Sequence, residues 1–235
     1  MPHADICSLE YVKNIKQCGW GSVCLIAELD TMIELLNCDC MEYMATVPDK
    51  YFDLAIVDPP YGLERYKSND GGNSKKITSF GGNTSNWNNT KPSTKYFEEL
   101  FRTSQNQIIW GANNFELPAS EYFIVWDKGQ FMPSFARCEY AWTNRKIPAK
   151  IFEERSQDKF RIHPTQKPVA LYNWLLTNYA KKGQRILDTH LGSGSSAIAA
   201  HYFGVDFVGC ELDKDYFEAA KARFDMATKQ LAMSI

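Results

Sequence analysis

The stretch RILDTHLGSGSSAIAAHYFGVDFVGCELD, residues 185–213, leaves the chain little freedom in choosing a fold. A short apolar strand ends on Asp188 and runs into a turn carrying Gly192 and Gly194. A helical pattern follows at 195–203 with Gly204 as its stop, and then a second apolar strand at 206–210. Strands joined by a helix pair in parallel, and near-continuous apolar runs mark them as buried on both faces.

The same alternation extends along the chain. Strands are expected at 32–37, 53–57, 106–111, 122–127, 138–143, 185–188 and 206–210, and helices at 94–104, 168–181, 195–203 and 214–231, the last capped by Asp213. The pattern predicts an α/β chain with a doubly wound, mostly parallel seven-stranded sheet. Strands 122–127 and 138–143 lack a helix between them and are expected as an antiparallel edge hairpin. At 235 residues the chain suits one α/β domain, placed at 31–235, behind an N-terminal extension, 1–30, of no assigned role.

Residues 68–94, rich in Gly, Asn, Ser and Thr, cannot bury much, so 62–95 is expected as a long mobile loop. Net charge is −2, but its distribution is uneven. Residues 1–60 carry ten acids and three bases, 62–95 six bases and two acids, and 143–168 seven bases and three acids. Two readings stand: the basic segments form one face for a polyanion, or they are solvated lysines in loops. No apolar run reaches the length of a membrane helix, and no signal segment opens the chain. Seven cysteines without C-x-x-C spacing argue for neither a disulfide framework nor a zinc site, and suit a reducing cytoplasm.

In the glycine turn, Gly192 and Gly194 let a ligand approach the backbone. Glu211 ends the next strand, ~20 residues after Asp188, where a carboxylate takes the hydroxyls of a ribose. The pattern points to a nucleoside cofactor, the alternative being a tight strand–helix turn with a solvent-facing glutamate. A second apolar strand stops in DLAIVDPPYGLERY (53–66), where Asp58, Pro59, Pro60 and Tyr61 combine a charge, a rigid backbone and a ring. A simple turn needs no such combination.

Together these segments resemble the amino-methyltransferases of DNA. Residues 188–196, DTHLGSGSS, resemble their cofactor motif, with Thr189 and His190 departing from its proline and phenylalanine, and Ser195 and Ser196 standing for its threonines. Asp-Pro-Pro-Tyr resembles their catalytic motif. LLNCDCMEYM (35–44) is similar to the segment that meets the cofactor adenine, through Asp39 and Cys40. HPTQKP (163–168) is similar to the segment meeting its methionine part, through His163, Thr165 and Lys167.

Catalytic motif first and cofactor motif last is the circularly permuted order of the family's beta group. The resemblance implies S-adenosylmethionine as cofactor and N6 of adenine in double-stranded DNA as acceptor. Asp58 and the Pro59 carbonyl would hold the target amine, Pro60 would fix the backbone, and Tyr61 would stack an extruded base. Asp188, Gly192, Gly194 and Glu211 would hold the cofactor, and no metal is implied.

Only about seventeen residues, 146–162, separate the last edge strand from HPTQKP, too few for a separate target-recognition domain. Sequence readout then falls to the 62–95 loop, the basic link or a second subunit. Trp87 and Lys128 are the candidate substrate contacts, against a lid for Trp87 and a surface ion pair for Lys128. The resemblance suggests a homodimer and a cognate restriction endonuclease as further partners to expect, in a bacterial or phage-encoded cytoplasmic setting with no membrane.

The same fold acting on cytosine N4, RNA or a glutamine side chain is the near alternative. A non-catalytic nucleic-acid-binding module that retains the fold is the distant one. A nicotinamide oxidoreductase leaves Asp-Pro-Pro-Tyr and HPTQKP without explanation.

Overall fold

The computed structural model describes residues 31–62, 91–130, 136–155, 162–163 and 165–229. The extension 1–30, most of the 62–95 loop with Trp87, and residues 156–161 of the basic link lie outside the described residues.

The strands are β1 (Ile33–Asn37), β2 (Phe52–Val57), β3 (Ser104–Trp110), β4 (Phe123–Asp127), β5 (Cys138–Thr143), β6 (Lys150–Glu153), β7 (Arg185–Asp188) and β8 (Asp206–Glu211). They form one sheet in the order β1-β8-β7-β2-β3-β5-β4-β6. All neighbours are parallel except β3–β5 and β4–β5, so β5 alone runs against the rest.

The expected seven strands are therefore eight. The additional strand, β6, adds in parallel outside β4, with Ile124 opposite Lys150 and Asp127 opposite Glu153. The β4–β5 pair is antiparallel as expected, but β6 displaces it from the edge. β1 completes the other side by pairing with β8, Ile33 opposite Phe207 and Asn37 opposite Glu211. The start of the described chain thus joins the strand closest to its end.

Alternation along β2 explains the layering. Leu54 and Ile56 point into one core with Ile108, Trp110, Leu171, Leu175 and Ala199. Ala55 and Val57 point into the other with Met44, Tyr96, Phe97, Leu100 and Ile109. The first core lies under α3 (Val169–Tyr179) and α4 (Ser195–Phe203), the second under α1 (Cys40–Thr46) and α2 (Thr94–Thr103). Each fully buried Leu, Ile, Val or Met side chain among them contributes about 1.5–3 kcal/mol.

Helix limits follow the chemistry of the caps. Gly204, at φ 84°, ends α4, as its left-handed conformation requires. Asp213 Oδ1 accepts from the N–H groups of Asp215 (2.9 Å) and Tyr216 (3.2 Å) and so starts α5 (Lys214–Lys229). α1, absent from the expected helices, is started by Asp39, whose carboxylate accepts from Met41 N–H at 2.7 Å.

The strand order reverses between β7 and β2. From β7 the chain crosses to β8 on one side, and from β2 to β3 on the other. A crevice forms beyond the carboxyl ends of the strands at such a point. The glycine turn leaves β7 there and Asp-Pro-Pro-Tyr leaves β2, with Ala55 opposite Leu187 fixing the register between them.

Candidate active site

A cavity of about 740 Å³ opens at this switch point. Its wall brings together Asp39, Cys40, Asp58, Pro60, His163, Thr165, Lys167, Gly192 and Glu211 from five segments distant in sequence. That volume suits a small-molecule ligand with a reacting group beside it.

On the β7–β8 side, Glu211 is held from two directions. Its Oε2 accepts from Gly192 N–H at 2.9 Å and its Oε1 from Asp213 N–H at 3.0 Å. A carboxylate offers about four acceptor positions, so these two bonds leave acceptor capacity for a ligand. Gly192 stands at φ 53°, and a Cβ there would meet nothing closer than the His163 ring at 3.9 Å, so its bare backbone faces open space.

Gly194 has a different task. Its φ is 73°, and a Cβ would lie 3.2 Å from the Ala220 carbonyl, so this glycine lets α5 approach the turn. Asp188 is fully buried and does not line the cavity. It accepts from His190 N–H (3.0 Å) and Ser196 Oγ (2.6 Å), and burial lifts its carboxyl to about 7. Asp188 and Gly194 therefore shape the turn around Gly192.

The two departures at 189 and 190 form a polar set with Tyr96. Thr189 Oγ1 lies 2.6 Å from Tyr96 Oη and 2.9 Å from His190 Nδ1, and the Tyr96 and His190 rings meet edge-on at 5.5 Å. Burial lowers His190 to about 4, so at neutral pH it is an uncharged imidazole on the cavity wall. His163, packed on Tyr216 with ring centroids 4.5 Å apart, is likewise lowered to about 4, by burial and then by the Lys167 charge. Asp39 lines the cavity while its carboxylate caps α1. Burial and the neighbouring Asp39 push the Cys40 thiol up to about 12, leaving it protonated.

On the β2 side Asp58 is anchored at both oxygens. Tyr61 Oη donates to Oδ1 at 2.5 Å, and the Lys167 ammonium bonds to Oδ2. The Tyr61 ring rests on Gly111 and meets Phe115 edge-on at 6.1 Å. Neither Tyr61 nor Pro59 lines the cavity; Asp58 and Pro60 do.

Lys167 is buried, and burial alone would lower its ammonium; Asp58 and Glu139 hold it above its usual value instead. It lies beside the carboxylates and lines the cavity together with His163 and Thr165 of the same segment. Glu139, on β5, lies 3.0 Å from Lys167 through Oε2, a charge contact without hydrogen-bond direction, and 2.5 Å from Lys128 through Oε1. Lys128 also sits over the Trp126 ring at 5.3 Å.

Sequence reasoning passes over Glu139, Tyr96 and Tyr216. The one available signal is the acid inside CEYAWT, a charge in a strand otherwise suited to burial.

Comparison with known proteins follows the same lines. A family model described as DNA methylase, covering N6 and N4 enzymes, matches residues 73–222. The type II methyltransferase M2.MboI from Moraxella bovis is 25% identical over 256 residues, covering 86% of this chain and 91% of that protein. The fold resembles the M1.HpyAVI–SAM complex with a TM-score of 0.54 at 21% identity, covering 82% of this chain and 100% of that one. It also resembles the cytosine-N4-specific PvuII DNA methyltransferase with a TM-score of 0.58 at 12% identity, covering 85% and 92% respectively.

Proposed function

The chain belongs to the DNA methylase family, and from that premise we propose that it transfers a methyl group from S-adenosylmethionine to N6 of adenine in double-stranded DNA. One observation carries the reading: Asp58, after β2, and Glu211, at the end of β8, face a single cavity at the point where the strand order reverses.

The cradle formed by Gly192 and Glu211 fits a ribose-bearing cofactor, since it presents a bare backbone and a carboxylate with acceptor positions left over. S-adenosylmethionine supplies a methyl group on a sulfonium centre, an electrophile ready for direct attack. Glu211 would take the ribose hydroxyls, and Asp39 the adenine side. His163, Thr165 and Tyr216 would line the remaining length.

Asp58 and the Pro59 carbonyl accept the two N–H bonds of the target amine. Its lone pair is delocalised into the ring, and two acceptors favour the pyramidal geometry that frees it. Tyr61 and Lys167 each occupy one acceptor position of Asp58, so the carboxylate is held in place and still has room for the amine. Tyr61 would leave its seat on Gly111 to stack the base, or act from that seat by orienting Asp58.

Aspartate in the first position of the catalytic motif supports adenine over cytosine. The type II designation of M2.MboI supports a place beside a cognate restriction endonuclease. The short link between β5 and His163 supports a homodimer, in which a second subunit shares the reading of DNA.

The test is transfer of labelled methyl from S-adenosylmethionine to mixed-sequence duplex DNA, with nucleoside analysis and Asp58→Ala as control. Label in N6-methyladenine that vanishes in the variant is the expected result. Label in N4-methylcytosine would overturn the base assignment, and bound cofactor without transfer to DNA would overturn the acceptor.

A further inference from the structure

Glu139 is a charged group close to the catalytic motif that the proposed chemistry leaves unused. It stands on β5, the one strand running against the sheet, with its side chain 22% exposed, and it faces two lysines. Lys167, 3% exposed, lies between Glu139 and Asp58 over the Trp110 ring at 5.5 Å. The result is a row of alternating charge, Asp58–Lys167–Glu139–Lys128, running from the catalytic motif to the end of β4.

We infer that Glu139 is a positioning residue for methyl transfer: it draws part of the Lys167 ammonium away from Asp58 and so keeps Asp58 a strong acceptor for the target amine. The inference rests on the proposed function and deepens it.

The physical argument concerns net charge beside the reacting nitrogen. As the N–CH3 bond forms and the C–S bond breaks, positive charge moves onto the amine nitrogen, until one of its protons leaves to solvent. A carboxylate at hydrogen-bond distance stabilises that charge most when its own charge is uncompensated. An ammonium held by Asp58 alone would compensate it fully, in surroundings where little water screens the pair. Shared with Glu139, the three groups carry a net negative charge. Lys128 balances that charge from the far side, further from the nitrogen, so the row as a whole is neutral while its inner end stays negative.

Geometry separates this role from a purely structural one. Glu139 does not line the cavity, so it has no contact through which to bind cofactor. Its influence on the amine passes through Lys167 and Asp58.

The experiment compares wild type, Glu139→Gln and Glu139→Asp by steady-state methylation of duplex DNA, with S-adenosylmethionine binding measured by calorimetry on each. Glutamine keeps the shape and removes the charge, while aspartate keeps the charge on a shorter stem. The expected result for Glu139→Gln is a fall in kcat of about 10- to 100-fold, as for other supporting residues that act through a catalytic group. KM for DNA and cofactor affinity should stay within about twofold. Glu139→Asp should recover a substantial part of kcat.

A loss in KM with kcat intact would make Glu139 a DNA-binding residue and overturn the inference. So would wild-type kcat in Glu139→Gln, or no difference between the two variants. Should Glu139→Gln fail to fold, Glu139→Asp decides alone: kcat reduced by less than tenfold at unchanged KM supports the role, and a KM change without a kcat change overturns it. A wild type that binds cofactor but labels no DNA overturns the proposed function itself, and the inference with it.

Discussion

The ring of Tyr61 fills the space where Gly111 would otherwise carry a side chain. Gly111 follows β3 at φ 67°, and a Cβ placed there would overlap the Tyr61 ring. The contact carries across the sheet from β3 to the loop after β2 and sets the direction from which Tyr61 Oη reaches Asp58. Gly111→Ala should therefore cost more than a left-handed alanine alone, which is about 1–2 kcal/mol. It should also lower methyl transfer while leaving cofactor affinity intact. Adding Tyr61→Ala should cost less in the Gly111→Ala background than in wild type, because the overlap has already displaced the ring. Additive losses in urea denaturation would show that the two residues do not meet.

Removing Lys167 should harm the fold more than removing the charge of Asp58. In Lys167→Met, Asp58 and Glu139 lose the cation between them and face each other in a poorly hydrated site. Breaking a buried pair from one side costs about 3–5 kcal/mol, and the partial exposure of both acids reduces this to about 2–3 kcal/mol. Asp58→Asn leaves Lys167 with Glu139, and should cost about 1 kcal/mol or less while abolishing transfer. Equal stability of Lys167→Met and wild type would show that the pair contributes nothing to folding.

The parts of this molecule legible in its sequence are those with a strong local pattern. The βαβ unit from Arg185 to Glu211 declares itself by two apolar strands, paired glycines and a helix with a glycine stop, and the structure has its helix at Ser195–Phe203. β6 carries no such pattern: four residues, KIFE, alternating half-buried and exposed, inside a basic link. α1 is equally hidden, because its seven residues include a cysteine, a tyrosine and a threonine, and it depends on the Asp39 cap and on packing of Met44.

The candidate site divides in the same way. Asp58, Gly192 and Glu211 are visible because a motif names them, whereas the partnership of Lys167 with Glu139 joins residues that only the sheet order brings together. The bond of Asp188 to His190 and the closeness of Gly194 to Ala220 within the turn are likewise visible only in the fold.

The two glycines of that turn should separate binding from folding. Gly192→Ala adds a methyl group toward the cavity with no neighbour closer than 3.9 Å, so its folding cost is the left-handed strain alone, about 1–2 kcal/mol. Its larger effect should be on S-adenosylmethionine affinity, reduced about tenfold or more by blocking the backbone approach. Gly194→Ala adds the same strain and a 3.2 Å contact with the Ala220 carbonyl, so stability should fall further than in Gly192→Ala. Calorimetric titration of both variants alongside thermal unfolding provides the check. Loss of affinity in Gly194→Ala alone would reverse the assignment.

His190 should make the fold acid-sensitive in a defined window. Its folded value is about 4, below the ordinary 6.5, because burial disfavours the imidazolium. Above pH 6.5 neither state binds the proton and the stabilisation is complete. As the pH falls from 6.5 toward 4 the unfolded chain takes up a proton that the folded chain refuses, so stability drops by at most about 1.4 kcal/mol per pH unit. His190→Phe removes this titration. Relative to wild type, the variant should gain on the order of 1–3 kcal/mol as the pH is lowered through the window, even if losing the Thr189 hydrogen bond makes it less stable near neutrality. Asp188 runs the opposite way: raised to about 7, its burial costs stability as the pH rises through the range up to that value. That contribution is common to both proteins and largely cancels in the difference. Denaturant unfolding of the pair above pH 6.5 and near pH 4 measures the change, and parallel stability profiles would place the His190 imidazole in contact with water in the folded state.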